Sequence, residues 1–226
     1  MIEIKHKTTG AVLATVDAET LQNRGFFEQN LICADFRDQK LDGADFTLAS
    51  LDNADFRGAS CIKANFYSVH LQRADFSGTR LWGIEGEGAN LQYANLNAAQ
   101  MYLACLRHAS LAHAELQDAD LKAAYLGHAS LRYADLRRAN LTETILHGTG
   151  LQGTQMAGTI LCSTIFAECT SLHQAEGLAE VKHLGPSSLD HQTLRACAPY
   201  LPDVFLLGTG YTEDELRLLR VMYPGA

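Results

Sequence analysis

The sequence contains no apolar run approaching the length of a membrane span, and its opening residues, MIEIKHKTTG, lack the apolar stretch of an export signal. No two of its six cysteines form a Cys-x-x-Cys pair. Cys33, Cys61, Cys105, Cys162, Cys169 and Cys197 lie well apart, which argues against a disulfide framework or a zinc site and for reduced thiols in a cytoplasmic protein. Positive charge is in deficit: 18 Lys and Arg against 26 Asp and Glu leave a formal charge of −8. That is the wrong sign for direct nucleic-acid binding, but it is compatible with a protein partner, including a basic one. Catalytic signatures are missing as well, with no GxSxG, no HExxH and no cysteine with an obvious histidine base. These absences argue against a helical membrane span and leave an enzyme without support; no membrane association is expected. No cofactor and no metal is expected, and the protein should act through its surface.

What the sequence does have is a period of five. From Phe26 to Phe166, every fifth residue is Leu, Phe, Met or Cys, and Gly86 is the one exception. The residue two places before the centre is small at 25 of these 29 positions: 18 are Ala, 6 Thr and one Val. The residue just before the centre is often Asp, Asn or Ser. Five matches neither a helix at about 3.6 residues per turn nor a flat strand at 2. It does fit a short straight side followed by a corner, with the large and the small residue both pointing inward. Phenylalanine recurs at 26, 36, 46, 56, 66 and 76, alternating with Leu or Cys, so an even number of sides keeps Phe above Phe. Two sides could not enclose these side chains. Four sides, with side chains twenty positions apart stacked at about 4.8 Å, is the natural solution.

The motifs ADF at 34–36, ANF at 64–66, ANL at 89–91 and ADL at 134–136 resemble the pentapeptide-repeat family, whose unit is A(D/N)LXX. The resemblance covers about residues 24–168. It implies an all-β solenoid, a right-handed quadrilateral β-helix of about seven coils. The expected organisation is an N-terminal cap of hairpin and short helix over 1–24, the β-helix over 25–170 and an α-helical C-terminal module over 171–226.

One glycine-rich stretch, LWGIEGEGANL at 81–91, keeps the frame, because Leu81 and Leu91 are still ten residues apart. It has neither lysine nor the GxxxxGK[ST] pattern of a phosphate loop. Ile84 has grown where Ala is usual and Gly86 has shrunk, a volume-conserving exchange within the core.

Four outward columns carry candidate sites. Ile62, Trp82, Tyr102 and Lys122 should form an exposed apolar stripe ending in a cation–π contact, a candidate partner-binding patch. Asp35, Asp55, Asp75, Asn95, Glu115, Asp135 and Gln155 form an acidic column. Its carboxylates are expected to bond corner amides and to be offset by Arg37, Arg57 and Arg137; the alternative is an anionic stripe imitating a phosphate backbone. His108 with His128, and Tyr93 with His113 and Tyr133, form two further columns in which no third metal ligand is evident. Near the end of the repeats, Tyr125, Ile145, Ile160 and Ile165 present apolar groups outward, where the C-terminal module is expected to dock.

The ends need caps, since stacked coils expose strand edges. Residues 2–16 read as a hairpin turning at Thr8-Thr9-Gly10, and Asp17 as the cap of a short helix. The tail offers Ser187 as an N-cap, a capping box of Thr212 with Glu215, and a stop at Pro224-Gly225. The expected function is a non-catalytic interaction or scaffold protein. The resemblance also implies an alternative, a DNA mimic that binds or protects a type II topoisomerase. The oligomeric state is open between a monomer and a dimer joined through the C-terminal module.

Overall fold

The computed structural model describes residues 1–224, and in it residues twenty apart pair as parallel bridges. Bridges recur every five residues, Gly25 with Asp45, Asn30 with Ser50, Asp35 with Asp55 and Lys40 with Ser60, so four ladders run side by side. Each rung has its own hydrogen bonds: the Phe36 N–H donates to the Asp55 carbonyl at 2.8 Å, and the Asp55 N–H to the Ala34 carbonyl at 2.9 Å. A turn then ends the strand after a single bridge. The Ala34 N–H returns to the Leu31 carbonyl at 3.0 Å, and Cys33 between them has a φ of 59°. Left-handed backbone costs a non-glycine residue about 1 kcal/mol. The turn offsets this by aiming the Cys33 N–H at the Asp52 carbonyl, 2.9 Å away in the next coil.

The large residue of each repeat and the small one before it fill the interior together. Phe26, Phe36, Phe46, Phe56, Phe66 and Phe76 are buried and form two ladders of rings. Rings twenty residues apart are stacked, Phe26 on Phe46 at 4.8 Å and Phe36 on Phe56 at 5.0 Å. Rings ten apart meet edge to face, Phe26 with Phe36 at 6.1 Å. Threonine can replace the inward alanine because its hydroxyl finds a carbonyl in the coil below: Thr144 donates to Leu121 at 2.8 Å and Thr164 to Leu141 at 2.7 Å. This satisfies a buried polar group that would otherwise destabilise the core.

Two strands close the first coil. β1 (Ile2–Lys5) and β2 (Val12–Val16) form an antiparallel hairpin, and Gly10 in its turn has a φ of 71°. β1 then continues onto the shaft: the Lys7 N–H donates to the Cys33 carbonyl and the Asp35 N–H to the Lys5 carbonyl, both at 2.8 Å. The short helix expected after Asp17 does not form. Leu21 is already a buried centre of the five-residue frame, and the Asn23 N–H donates to the Asp42 carbonyl at 2.9 Å, so this segment is committed to the first coil.

At the other end, pairing outlasts the visible period. β3 (Ile145–His147), β5 (Ile165–Ala167) and β7 (Ser188–Leu189) form one parallel sheet, and β4 (Ile160–Leu161) pairs with β6 (Lys182–His183). The partner separation lengthens by one residue per side, from Gln155–Glu176 to Ile160–Lys182 to Ile165–Ser188. Three helices follow: α1 (His191–Cys197), α2 (Asp203–Thr209) and α3 (Glu213–Met222). Ser187 does not cap α1. It lies in the last coil before β7, and Asp190 takes the N-cap position, accepting from the Thr193 N–H at 2.8 Å. α3 opens with the Thr212–Glu215 capping box. Gly225, half of the expected stop signal, lies outside the described residues.

The helices close the open end of the shaft. Phe205 of α2 meets Phe166 at 6.2 Å and is fully buried. Arg220 of α3 ties the helices together by donating to the Leu201 carbonyl at 2.8 Å and to Asp203 at 2.5 Å.

Candidate interaction surface

Ile62, Trp82 and Tyr102 stand on one side of successive coils. The Lys63 N–H donates to the Trp82 carbonyl and the Gly83 N–H to the Tyr102 carbonyl, each at 2.8 Å. Each of the three follows an inward centre, so its side chain faces out. Trp82 is 44% exposed, Tyr102 39% and the neighbouring Leu103 54%, while Ile62 is half-buried. Lys122 continues the column, but its ammonium lies 3.6 Å from Glu143. A full carboxylate charge in the next coil attracts the ammonium more strongly than the quadrupole of Tyr102, so the expected cation–π contact is replaced by an ion pair.

The acidic column is engaged rather than bare. Asp35, Asp55 and Asp135 each accept from the backbone N–H two residues on and from the guanidinium of the same arginine, Arg37, Arg57 and Arg137. Each of these ion pairs measures 2.6 Å. Asp75 uses Ser77 instead, Glu115 accepts from Asn97 at 2.9 Å, and Asn95 bonds the Asn97 N–H. Arg37 holds the Asp35 carboxyl below the usual carboxylate range. Burial pushes Asp55 and Asp135 upward, but the guanidinium and amide of Arg57 and Arg137 outweigh it and the net direction is down. Asp55, almost fully covered, presents little charge to a partner.

The remaining columns are stacks. His108 lies on His128 at 5.2 Å with planes 10° apart, and His147 meets His128 edge-on at 4.9 Å while its Nε2 sits 3.4 Å from Glu168. Tyr93, His113 and Tyr133 form a continuous stack at 4.9 and 5.1 Å. Among the described residues, no group of three or more His, Cys, Asp or Glu is placed to share a metal ion, and no helix is long and apolar enough to cross a membrane.

Ile160 and Ile165 meet the C-terminal segment through their backbones, pairing with Lys182 and Ser188. Tyr125 and Ile145 are half-buried, but Ile165 stays 39% exposed, so the tail leaves that side chain uncovered. The structure also joins residues that spacing did not connect. His173 Nδ1 lies 3.3 Å from Cys197 Sγ, brought together by the irregular last coil. Burial pushes the Cys197 thiol up and Cys169 up to about 12, and both are fully covered, an environment that disfavours the thiolate.

Comparison with a family model agrees with this architecture. A family model described as pentapeptide repeats matches in eight copies, over residues 30–66, 44–83, 64–107, 104–142 and 119–156. No curated protein sequence matches the chain. Among solved structures it is similar to a trypsin-treated variant of QnrB1, a plasmid-mediated fluoroquinolone resistance protein, at 18% identity and a TM-score of 0.46 over 91% of this chain and 98% of that one. It is also similar to a pentapeptide repeat protein of the Arabidopsis thaliana thylakoid lumen, at 24% identity and a TM-score of 0.22 over 50% of this chain and 68% of that one. The protein Rfr23 of the cyanobacterium Cyanothece 51142 matches at 21% identity and a TM-score of 0.26, over 63% and 88%. With its five-residue frame, its ladders twenty residues apart and a family match spanning more than half its length, the chain belongs to the pentapeptide repeat family and is a right-handed β-helix.

Proposed function

We propose that this chain is a non-catalytic interaction scaffold: a cap, a shaft of about seven four-sided coils and a helical closing module. In this reading it recruits a protein partner through the side that carries Ile62, Trp82, Tyr102 and Lys122. The observation that carries the proposal is the exposure of Trp82, Tyr102 and Leu103 in adjacent coils, an apolar cluster on a rigid side that no other part of the fold needs for packing. Trp82→Ala with Tyr102→Ala should abolish partner capture from the source cell while the circular dichroism spectrum stays unchanged. Undiminished capture by that variant ends the proposal.

The second reading is a topoisomerase-directed DNA mimic, for which the favourable observation is the ladder Asp35, Asp55, Asp75, Glu115, Asp135 along one side. The arginines seated on three of these carboxylates favour the scaffold. A gyrase supercoiling assay separates the two. Protection from a quinolone, or direct inhibition, supports mimicry; no effect at micromolar protein removes it.

A further inference from the structure

A different side of the shaft points to a partner of its own. Across the coils at 70–73, 90–93, 110–113, 130–133 and 150–153 there is no Asp or Glu, in a chain where acids outnumber bases by 26 to 18; the nearest acid on this side is Asp52 in the coil before, whose carboxylate accepts from the Gln72 N–H at 2.8 Å. This side presents His70, Arg73, Tyr93, His113, Arg132 and Tyr133, all exposed, among Ser, Asn and Gln.

Among the described residues, its two arginines are held without a carboxylate partner. Arg73 lies over the Tyr93 ring at 5.5 Å, and Arg132 donates to the Gln152 side-chain carbonyl at 2.5 Å. On the adjoining side, by contrast, Arg37, Arg57, Arg137 and Arg138 each sit 2.6 Å from an Asp. The uncommitted guanidinium groups are also fixed in place. Arg73 rests on a stack that runs through Tyr93, His113 and Tyr133 at 4.9 and 5.1 Å. Tyr133 in turn lies on Gly153, where a Cβ would come within 2.4 Å of its ring. Immobilised guanidinium groups lose little entropy when they engage an anion.

The spacing selects the shape of that anion. Arg73 and Arg132 are three coils apart, roughly 14 Å at about 4.8 Å per coil. An extended peptide advances about 3.4 Å per residue, so side chains four apart on one of its faces span the same distance. Between them, the edges of Tyr93 and His113 offer hydrogen-bonding groups to its backbone. We propose that this side binds an acidic, extended peptide segment of a partner protein lying along the shaft, with carboxylates at i and i+4 on Arg73 and Arg132. The surface is separate from the Trp82 side and stands whether or not that side recruits a partner.

The test is fluorescence anisotropy of the full chain with a short labelled peptide alternating Thr and Glu, at low salt, alongside a Thr–Gln peptide and a single-stranded oligo(dT). Binding of the Thr–Glu peptide alone is expected, weakened about tenfold or more in Arg73→Gln/Arg132→Gln and unchanged in Arg37→Gln. The proposal is overturned by three results: no Thr–Glu binding up to about 1 mM, equal binding by the double variant, or tighter binding of oligo(dT) than of the peptide. A melting curve of the double variant matching the parent protein confirms that any loss is local.

Discussion

Ile84 fills core space that Gly86 leaves empty. Ile84 is buried where other repeats place Ala or Thr. A Cβ added to Gly86 would come within 2.9 Å of Leu106 Cδ2 and 3.9 Å of Ile84 Cδ1. The exchange is incomplete: a cavity of about 10 Å³ remains among Phe66, Phe76, Ile84, Leu91 and Met101. Truncating Ile84→Ala should therefore destabilise by about 2–5 kcal/mol, measured by urea unfolding. Gly86→Leu alone should also destabilise, by overpacking. The double variant Ile84→Ala/Gly86→Leu should recover most of the loss; if the two effects simply add, the positions do not share one volume.

The arginine-paired carboxylates give the fold an acid limit. The net shift of Asp35, Asp55 and Asp135 is downward, so the stability they contribute is present above the ordinary carboxylate value and lost as pH falls through their lower folded values. Melting temperature should fall as pH drops below about 4. Asp55→Asn should flatten that fall. Arg57→Gln, at an exposed guanidinium, should leave the melting temperature at neutral pH nearly unchanged.

His183 gives a dependence nearer neutrality. It pairs in register with Leu161, takes an inward position in the last coil and lies against Gly208 and the edge of Phe205, 5.4 Å away. Neither ring nitrogen has a hydrogen-bond partner among the described residues, and burial lowers its affinity for a proton below the ordinary 6.5. A lowered histidine value means that its contribution is present above the unfolded value and lost as pH falls below it. Thermal stability should drop as pH falls below about 6.5, the ordinary histidine value. His183→Leu, matching the residue it stacks on, should remove the drop and raise stability at the lower pH. An unchanged slope in His183→Leu would show that the ring is not the titrating group.

The N-terminal hairpin is expected to keep the shaft monomeric at that end. β1 occupies the edge groups of Cys33 and Asp35. Deleting residues 1–16 should free that edge and give concentration-dependent association by analytical ultracentrifugation, whereas a monodisperse truncation would show the edge to be protected some other way.

The repeat itself was legible in the sequence because the interior of a narrow shaft accepts little variety. A large apolar residue every fifth position, with Ala or Thr two places before it, sets the side length, and the Phe alternation sets an even number of sides. The acidic column was legible for a local reason: Asp35, Asp55 and Asp135 reach amides and guanidinium groups only two residues away. The contact of Lys122 was not legible, because its choice between Tyr102 and Glu143 depends on neighbours around a corner of the shaft. The helix expected after Asp17 failed for a similar reason, since the first coil claims Leu21 and Asn23. The last coil was hidden because its sides lengthen by single residues, which erases a fixed period without breaking the pairing.

By itself the sequence determined the shaft, since the hydrophobic period is written into each short segment and the partner that buries it is always the neighbouring coil, twenty residues away. Only the tertiary structure decided which charges stay free. Arg57 finds a carboxylate within its own repeat, while Arg73 and Arg132 are left on an aromatic ring and an amide, because their companions are set by the coils above and below. It likewise decided that the two ring nitrogens of the half-buried His183 are covered without a partner among the described residues, because the cover comes from a helix that packs across the end of the shaft and carries Phe205, 22 residues later in the chain.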